Sequence, residues 1–131
     1  MQTAPHSALA HINLARLLFI EENECDRGIV LAKKAQQLNS TDTNYDLFQG
    51  VLRLREKDPQ RAIADFNRAL ERNSEHIETL VNLATAYEMM GNRADAELYL
   101  RRAVNSTEPD APGDLRDVAG EMLLELTQKK P

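Results

Sequence analysis

The side chains in this sequence that could do chemistry are three histidines, one cysteine and several pairs of carboxylates. The histidines are His6, His11 and His76. His6 and His11 stand five residues apart, which is off the helical spacing that would let two side chains share a metal ion, and no cluster of cysteines or carboxylates completes a ligand set. Cys25 is the single cysteine, so no intrachain disulfide is possible, and we interpret it as a small residue at a helix start.

Two pairs of carboxylates have the spacing of an acid and a base on one helix face. They are Asp42 with Asp46, and Glu121 with Glu125. Such a pair needs a cleft of convergent polar groups, and the sequence indicates none, so solvated helix faces are the simpler interpretation. There is also no glycine-rich phosphate loop and no Gly-x-Ser-x-Gly motif. We therefore expect no enzyme, no catalytic residue, no metal site and no cofactor.

Composition and charge favour a folded, acidic domain. The chain has 131 residues, of which 42% are hydrophobic and 28% charged, and its net charge is −5. Such a surface repels phosphate backbones, so nucleic acid is not the expected partner. The sequence contains no signal peptide and no apolar run long enough to span a bilayer, so we expect no membrane insertion. Together with the single cysteine, this weakly favours a cytoplasmic location.

The sequence contains an internal repeat with a period of 34 residues, and the repeated elements must position the side chains named above. Small or large apolar residues return at this spacing in three columns: Gly28, Ala62 and Ala96; Ala32, Phe66 and Leu100; and Ala35, Ala69 and Ala103. In a fourth column the third member, Glu97, is charged instead of apolar. A fixed period held in several columns is typical of a repeat architecture.

Each repeat unit is predicted to contain two helices. Leu80, Leu83, Ala84 and Tyr87 recur at helical spacing. Turn and capping residues, such as Gly91-Asn92 and Asp58-Pro59, separate the helices. We expect helices near residues 5–21, 25–38, 43–56, 59–72, 75–90 and 93–106. A final amphipathic helix, with an apolar stripe from Leu115 to Leu126, would cover the end of the stack.

These residues resemble the tetratricopeptide repeat family. The third unit matches best, through Leu80, Leu83-Ala84, Tyr87, Gly91, Ala96, Leu100 and Ala103. The middle unit matches at Gly50, Ala62, Phe66 and Ala69. It departs at Asp46, Gln49 and Arg53, where large or apolar residues are usual, which puts the register of its first helix in doubt. The resemblance covers roughly residues 8 to 108.

The resemblance implies an all-α fold: a right-handed superhelical stack of antiparallel helix hairpins with about seven helices. We expect residues 1–131 to form a single domain. Its repeats would span about 8–42, 43–76 and 77–110, and its capping helix about 112–129. In this architecture the first helix of each repeat lines a concave groove, which is the usual binding surface.

Carrying the groove positions over repeat by repeat gives an apolar candidate surface. Its residues are Ile12, Arg16, Phe19, Ile20, Leu47, Val51, Leu54, Arg55, Val81, Thr85, Glu88 and Met89. Large exposed apolar patches mark interaction sites. We therefore expect a protein–protein interaction scaffold that binds a peptide or amphipathic helix of a partner, with Arg16 and Arg55 available to a carboxylate. The alternative is a structural module that forms homo-oligomers through the groove or the capping helix.

Overall fold

The computed structural model describes residues 22–39, 42–108 and 115–128 of the chain. All regular secondary structure in these ranges is helical. The six helices are α1 (Glu22–Leu38), α2 (Asn44–Arg55), α3 (Pro59–Arg72), α4 (Ile77–Met89), α5 (Arg93–Val104) and α6 (Leu115–Gln128). The all-α prediction and the boundaries predicted between residues 25 and 106 are confirmed to within three residues. The helix predicted at 5–21 lies outside the described residues.

The starts of α3 and α5 are set by the capping residues that the sequence indicated. The side chain of Asp58 accepts a hydrogen bond from the backbone N–H of Arg61, and Pro59 occupies the first turn of α3. One repeat later, the side chain of Asn92 accepts a hydrogen bond from the N–H of Asp95. Each cap satisfies an N–H group that has no partner within its own helix.

Consecutive helices pack against each other from α1 to α6, and α4 also touches α2 and α6. The apolar columns of the repeat form the core. Ala62 and Ala96, Phe66 and Leu100, and Ala69 and Ala103 are all fully buried. The first repeat is looser in the described part, since Ala32 is buried whereas Gly28 and Ala35 are only half-buried. The packing order and the buried columns are those of a stack of helix hairpins.

The final helix covers the end of the stack. Ala119, Met122 and Leu126 of α6 are buried in the common core. A guanidinium nitrogen of Arg93 donates a 2.7 Å hydrogen bond to the carbonyl oxygen of Leu126 and so satisfies one of the last carbonyls of α6. The predicted apolar stripe therefore faces the protein.

A loop after α5 returns to the start of α4. The N–H of Ile77 donates to a carboxylate oxygen of Glu108 at 3.1 Å, and the hydroxyl of Ser106 donates to the carbonyl oxygen of Glu75 at 2.5 Å. Arg116 of α6 donates to the carbonyl oxygens of Ser106 and Glu108. The loop thus joins three helices through hydrogen bonds. None of the described helices is both long and apolar enough to cross a membrane.

Candidate binding surface

The predicted groove residues of α2 lie on one side of the helix but differ in exposure. Leu47, Val51 and Leu54 are buried in the hydrophobic core. Arg55, which follows Leu54 in the last turn, is half-buried. Of the four predicted residues of α2, Arg55 is therefore the one with appreciable exposed surface, and the other three belong to the core.

The same distribution occurs one repeat later in α4. Val81, Thr85 and Glu88 are buried, and the hydroxyl of Thr85 donates a 3.1 Å hydrogen bond to the carbonyl oxygen of Val81. Met89 is half-buried and packs against the core. Arg55 and Met89 stand 34 residues apart, at the same position of successive repeats. They are the two accessible members of the predicted set within the described residues.

Four predicted groove residues lie outside the described part of the chain. These are Ile12, Arg16, Phe19 and Ile20. Their place in a binding surface remains a prediction.

The middle repeat replaces apolar packing with a charged cluster, which the sequence did not predict. Asp46 of α2 is buried and accepts hydrogen bonds from Gln36 of α1 at 3.3 Å and from the Nε atoms of Arg68 and Arg72 of α3 at 3.4 and 3.1 Å. These contacts connect three successive helices. The buried carboxylate costs desolvation energy, which its three donors offset.

A second buried carboxylate continues this cluster. Asp65 of α3 pairs with Arg68 on its own helix, and one of its oxygens lies 3.5 Å from the Nε atom of Arg53 on α2. Burial raises the pKa of Asp65 above its usual value, although the positive charges of Arg68 and Arg53 oppose this shift. Asp46 and Arg53 are the two charged positions where the sequence departs from the apolar repeat pattern. The structure shows that each departure has an opposite charge beside it.

In the structure α2 keeps the repeat register that its sequence put in doubt, with Leu47, Val51 and Leu54 buried. Gly50 packs against the ring of Phe66 on α3 so closely that a Cβ atom would overlap the ring. Gln49 lies beside it, half-buried, and donates a 3.2 Å hydrogen bond to the hydroxyl of Tyr45. The polar residues therefore fit the regular position of the helix, because each has a polar partner there.

Two of the residues considered for chemistry, His76 and Asp42, make contacts at the starts of helices. Nδ1 of His76 lies 2.7 Å from the hydroxyl of Thr79 at the start of α4. Asp42 accepts a hydrogen bond from the N–H of Asn44 at 2.8 Å. Tyr87 and Tyr99 stack with ring centroids 5.6 Å apart, and burial raises the pKa of Tyr87. In the three described ranges, no three His, Cys, Asp or Glu side chains are grouped as a metal site would require.

Comparison with known proteins finds one family model that matches part of the chain. Residues 53–113, which run from the end of α2 to beyond α5 and make up just under half of the chain, match the model of the tetratricopeptide repeat. No curated protein matches the chain significantly. Repeats of this family generally mediate contacts between proteins and generally act as non-catalytic scaffolds. The match of residues 53–113 and the stacked helix hairpins both support the tetratricopeptide repeat family.

Proposed function

We propose that this protein is a scaffold that binds a peptide or an amphipathic helix of a partner along the concave side of α2 and α4. The observation that carries the proposal is the matched placement of Arg55 and Met89. They are accessible at the same position of two successive repeats, and each follows a buried side chain of the proposed groove wall. A positive charge at one position and a flexible thioether at the other suit a ligand that combines a carboxylate with an apolar side chain.

The buried residues limit how such a ligand can bind. Leu54 and Val81 have no exposed surface, and Val51 has almost none. A ligand can contact them only if the groove opens, and that opening would lower the apparent affinity. We therefore propose that the first contacts are made at Arg55 and Met89, with the buried side chains shaping the wall.

A displayed library of random peptides offers a test that needs no known partner. The library would be selected on the wild-type chain and then assayed on the double variant Arg55→Glu/Met89→Glu. The matched control is Arg101→Glu on α5, where an exposed arginine is paired with Glu97. We expect amphipathic peptides with an acidic residue that bind the wild type and the control but lose at least tenfold in affinity on the double variant, since about 1.4 kcal/mol corresponds to that factor.

Two results would count against the groove. Selection could give no reproducible peptide, or the selected peptides could bind the double variant as tightly as the wild type. Circular dichroism of each variant would establish that the helices remain folded. A loss of binding on the control variant as well would point to general electrostatic attraction, which contradicts a site at Arg55 and Met89.

A further inference from the structure

The concave side of the stack is buried in two successive repeats. It runs along α2 and α4 as two stripes, in which the side chains are spaced by four and then three residues. None of the six side chains is more than 3% exposed, and they are Leu47, Val51, Leu54, Val81, Thr85 and Glu88. Side chains at these spacings lie on one side of a helix. In an open groove that side would face water, so its burial requires a neighbouring segment.

The described helices account for only part of this burial. All residues from Thr79 to Ala86 are buried, and eight consecutive residues of a helix point in every direction. The helix α4 packs mainly on α3 and α5, whereas it touches α2 and α6 at a few residues. Tyr87, which stacks on Tyr99 of α5, lies nearly opposite Thr85 on the helix. The cover over the concave side therefore has to come mainly from another segment.

Residues 1–21 are the one run outside the described ranges that is long enough to cover both stripes. Each stripe extends about 10 Å along its helix, and neighbouring helices lie about 8–10 Å apart. The other runs, 40–41, 109–114 and 129–131, contain at most six residues. As a helix, residues 8–21 would extend over about 21 Å, which is enough to reach across two helices.

The composition of this segment suits the groove. Between residues 8 and 20, Arg16 is the one charged side chain, and most of the others are Leu, Ile, Ala or Phe. A helix that is apolar on all sides is normally buried. The stripes offer it four aliphatic side chains and one carboxylate, that of Glu88. A buried carboxylate is stable when an opposite charge lies beside it, and Arg16 can supply that charge.

The face of α1 that the segment would cover in a regular first repeat is exposed. By the 34-residue period, Leu31 corresponds to Asp65 and Tyr99. Each of these two contacts the first helix of its own repeat, where the partners are Arg53 and Tyr87. Asp65 is 3% exposed, whereas Leu31 is 68% exposed. A first helix in the regular position would cover Leu31, so this exposure leaves the segment available for the groove.

We infer that residues 8–21 fold back over the stripes of α2 and α4 and occupy the groove as an intramolecular ligand, with Arg16 beside Glu88. Its regulatory consequence rests on the proposed function, because a partner peptide would have to displace the segment. The fraction of chains with an open groove then sets the apparent affinity of the peptide. Arg55 and Met89 keep exposed surface and give an incoming peptide its first contacts.

Thiol labelling of the full chain tests the position of the segment without any ligand. In a Cys25→Ser background, three single variants each carry one thiol: Val51→Cys in the groove, Leu31→Cys on α1 and Ala103→Cys in the core. A thiol reacts with a labelling reagent when it is exposed, and a buried one reacts only after local opening. We therefore expect fast labelling at position 31 and slow labelling at positions 51 and 103.

Charge reversal at Arg16 should uncover the groove alone. Arg16→Glu brings two carboxylates together at Glu88, so it should accelerate the labelling of Val51→Cys at least about tenfold and leave Ala103→Cys unchanged. The matched control is Arg101→Glu, which removes an exposed pair on α5 and should leave all labelling rates unchanged.

Three results would overturn the inference. Slow labelling of Leu31→Cys would place the segment on α1, as in a regular repeat. A Val51→Cys rate that Arg16→Glu leaves unchanged would show that the segment does not cover the groove. An equal acceleration at Ala103→Cys would show that Arg16 supports the whole fold instead.

The peptide library separates this inference from the proposed function. Selected peptides should bind Arg16→Glu at least about tenfold more tightly than the wild type, since the groove is then open. Equal affinity for both would contradict the regulatory role of the segment. The expected labelling pattern without any selected peptide would uphold the covered groove and contradict only the proposed function.

Discussion

Lys57 and Gly91 occupy the same backbone position in successive repeats, 34 residues apart. Each lies in the turn between the two helices of its repeat, and each has a positive φ angle, 61° for Lys57 and 78° for Gly91. The residue that follows is a helix cap in both cases, Asp58 and Asn92. The repeat therefore preserves a left-handed turn, although glycine, which adopts it without a steric penalty, is present in only one copy.

Replacing Lys57 with glycine should stabilise the protein. The left-handed conformation costs a residue with a Cβ atom about 1–2 kcal/mol, and the greater flexibility of unfolded glycine returns about 0.5–1 kcal/mol of this. We expect a net gain of roughly 0.5–1 kcal/mol in the free energy of unfolding, measured by urea denaturation. The reciprocal variant, Gly91→Lys, should lose a similar amount. Equal stability of all three proteins would contradict the strain at Lys57.

Gly50→Ala should destabilise the protein, and Gly120→Ala should not. A Cβ atom at Gly50 would overlap the Phe66 ring, whereas one at Gly120 would have its nearest contact at 3.9 Å, on Val104. Alanine favours a helix over glycine by about 1 kcal/mol, but overpacking costs about 1–3 kcal/mol. We expect a net loss of roughly 1–2 kcal/mol at position 50 and a gain of up to about 1 kcal/mol at position 120. Thermal melting of both variants would measure this contrast, and a gain at both positions would be inconsistent with the close packing of α2 on α3.

Asp46→Ala should cost more stability than the removal of an exposed ion pair. The buried Asp46 carboxylate holds three donors, but Arg68 and Arg72 are partly exposed and can hydrate when it is lost. We therefore expect a loss of roughly 1–2 kcal/mol, below the value for a fully buried pair. The control is Glu97→Ala, which removes an exposed pair with Arg101 and should cost less than about 0.5 kcal/mol. Urea denaturation of both variants would test this, and similar losses would show that the cluster contributes little.

The pH dependence of stability should have opposite signs at Asp65 and Glu75. Burial raises the pKa of Asp65 above 3.8, so the folded chain holds this proton more tightly than the unfolded chain does. The stability of the wild type relative to Asp65→Asn should therefore fall as the pH rises from 3.8 through the raised pKa. Hydrogen bonds from the N–H and hydroxyl of Thr107, the N–H first, lower the pKa of Glu75 below 4.5. The ionised Glu75 should therefore make the wild type more stable than Glu75→Gln above pH 4.5. This extra stability should be lost as the pH falls through the lowered pKa.

Urea denaturation from about pH 3 to about pH 6 would give both difference curves. Each variant serves as the control for the other, because general acid destabilisation acts on both. Curves with the same slope would contradict the assignment of these shifts.

The sequence was sufficient to predict the fold because its strongest signals are local. A period of 34 locates the columns of Ala62 and Ala96, and the caps at Asp58 and Asn92 locate the helix starts. The charged cluster could not be predicted in the same way. Asp46 meets Arg72 across 26 residues, so their pairing depends on how α2 packs on α3. The indication of the cluster in the sequence was only indirect. Asp46 and Arg53 stand where apolar residues are usual, and Arg68 and Arg72 stand four residues apart on the following helix.

The candidate site was less predictable than the fold. Equivalence between repeats pairs Arg55 with Met89 and Leu54 with Glu88 along the chain, but it does not determine how deeply each side chain is buried. A position that faces a groove in a regular repeat becomes inaccessible when neighbouring segments approach it. Exposure is a property of the assembled structure, so the accessible members were identified only from the coordinates.

Because of the charged cluster, the helices of this chain are held together by two kinds of contact, polar and apolar. Gln36, Asp46 and Arg72 connect α1, α2 and α3 through polar contacts, and the arginines reach solvent. Between α4, α5 and α6 the buried side chains that meet are mainly apolar, among them Ile77, Leu100 and Met122, and the hydrogen bond from Arg93 to Leu126 adds to them. Dissolved ions screen the charged contacts, and salts such as sulfate also strengthen the apolar contacts. Salt should therefore bias the order in which the chain comes apart, with the amino-terminal helices detaching first as ionic strength increases.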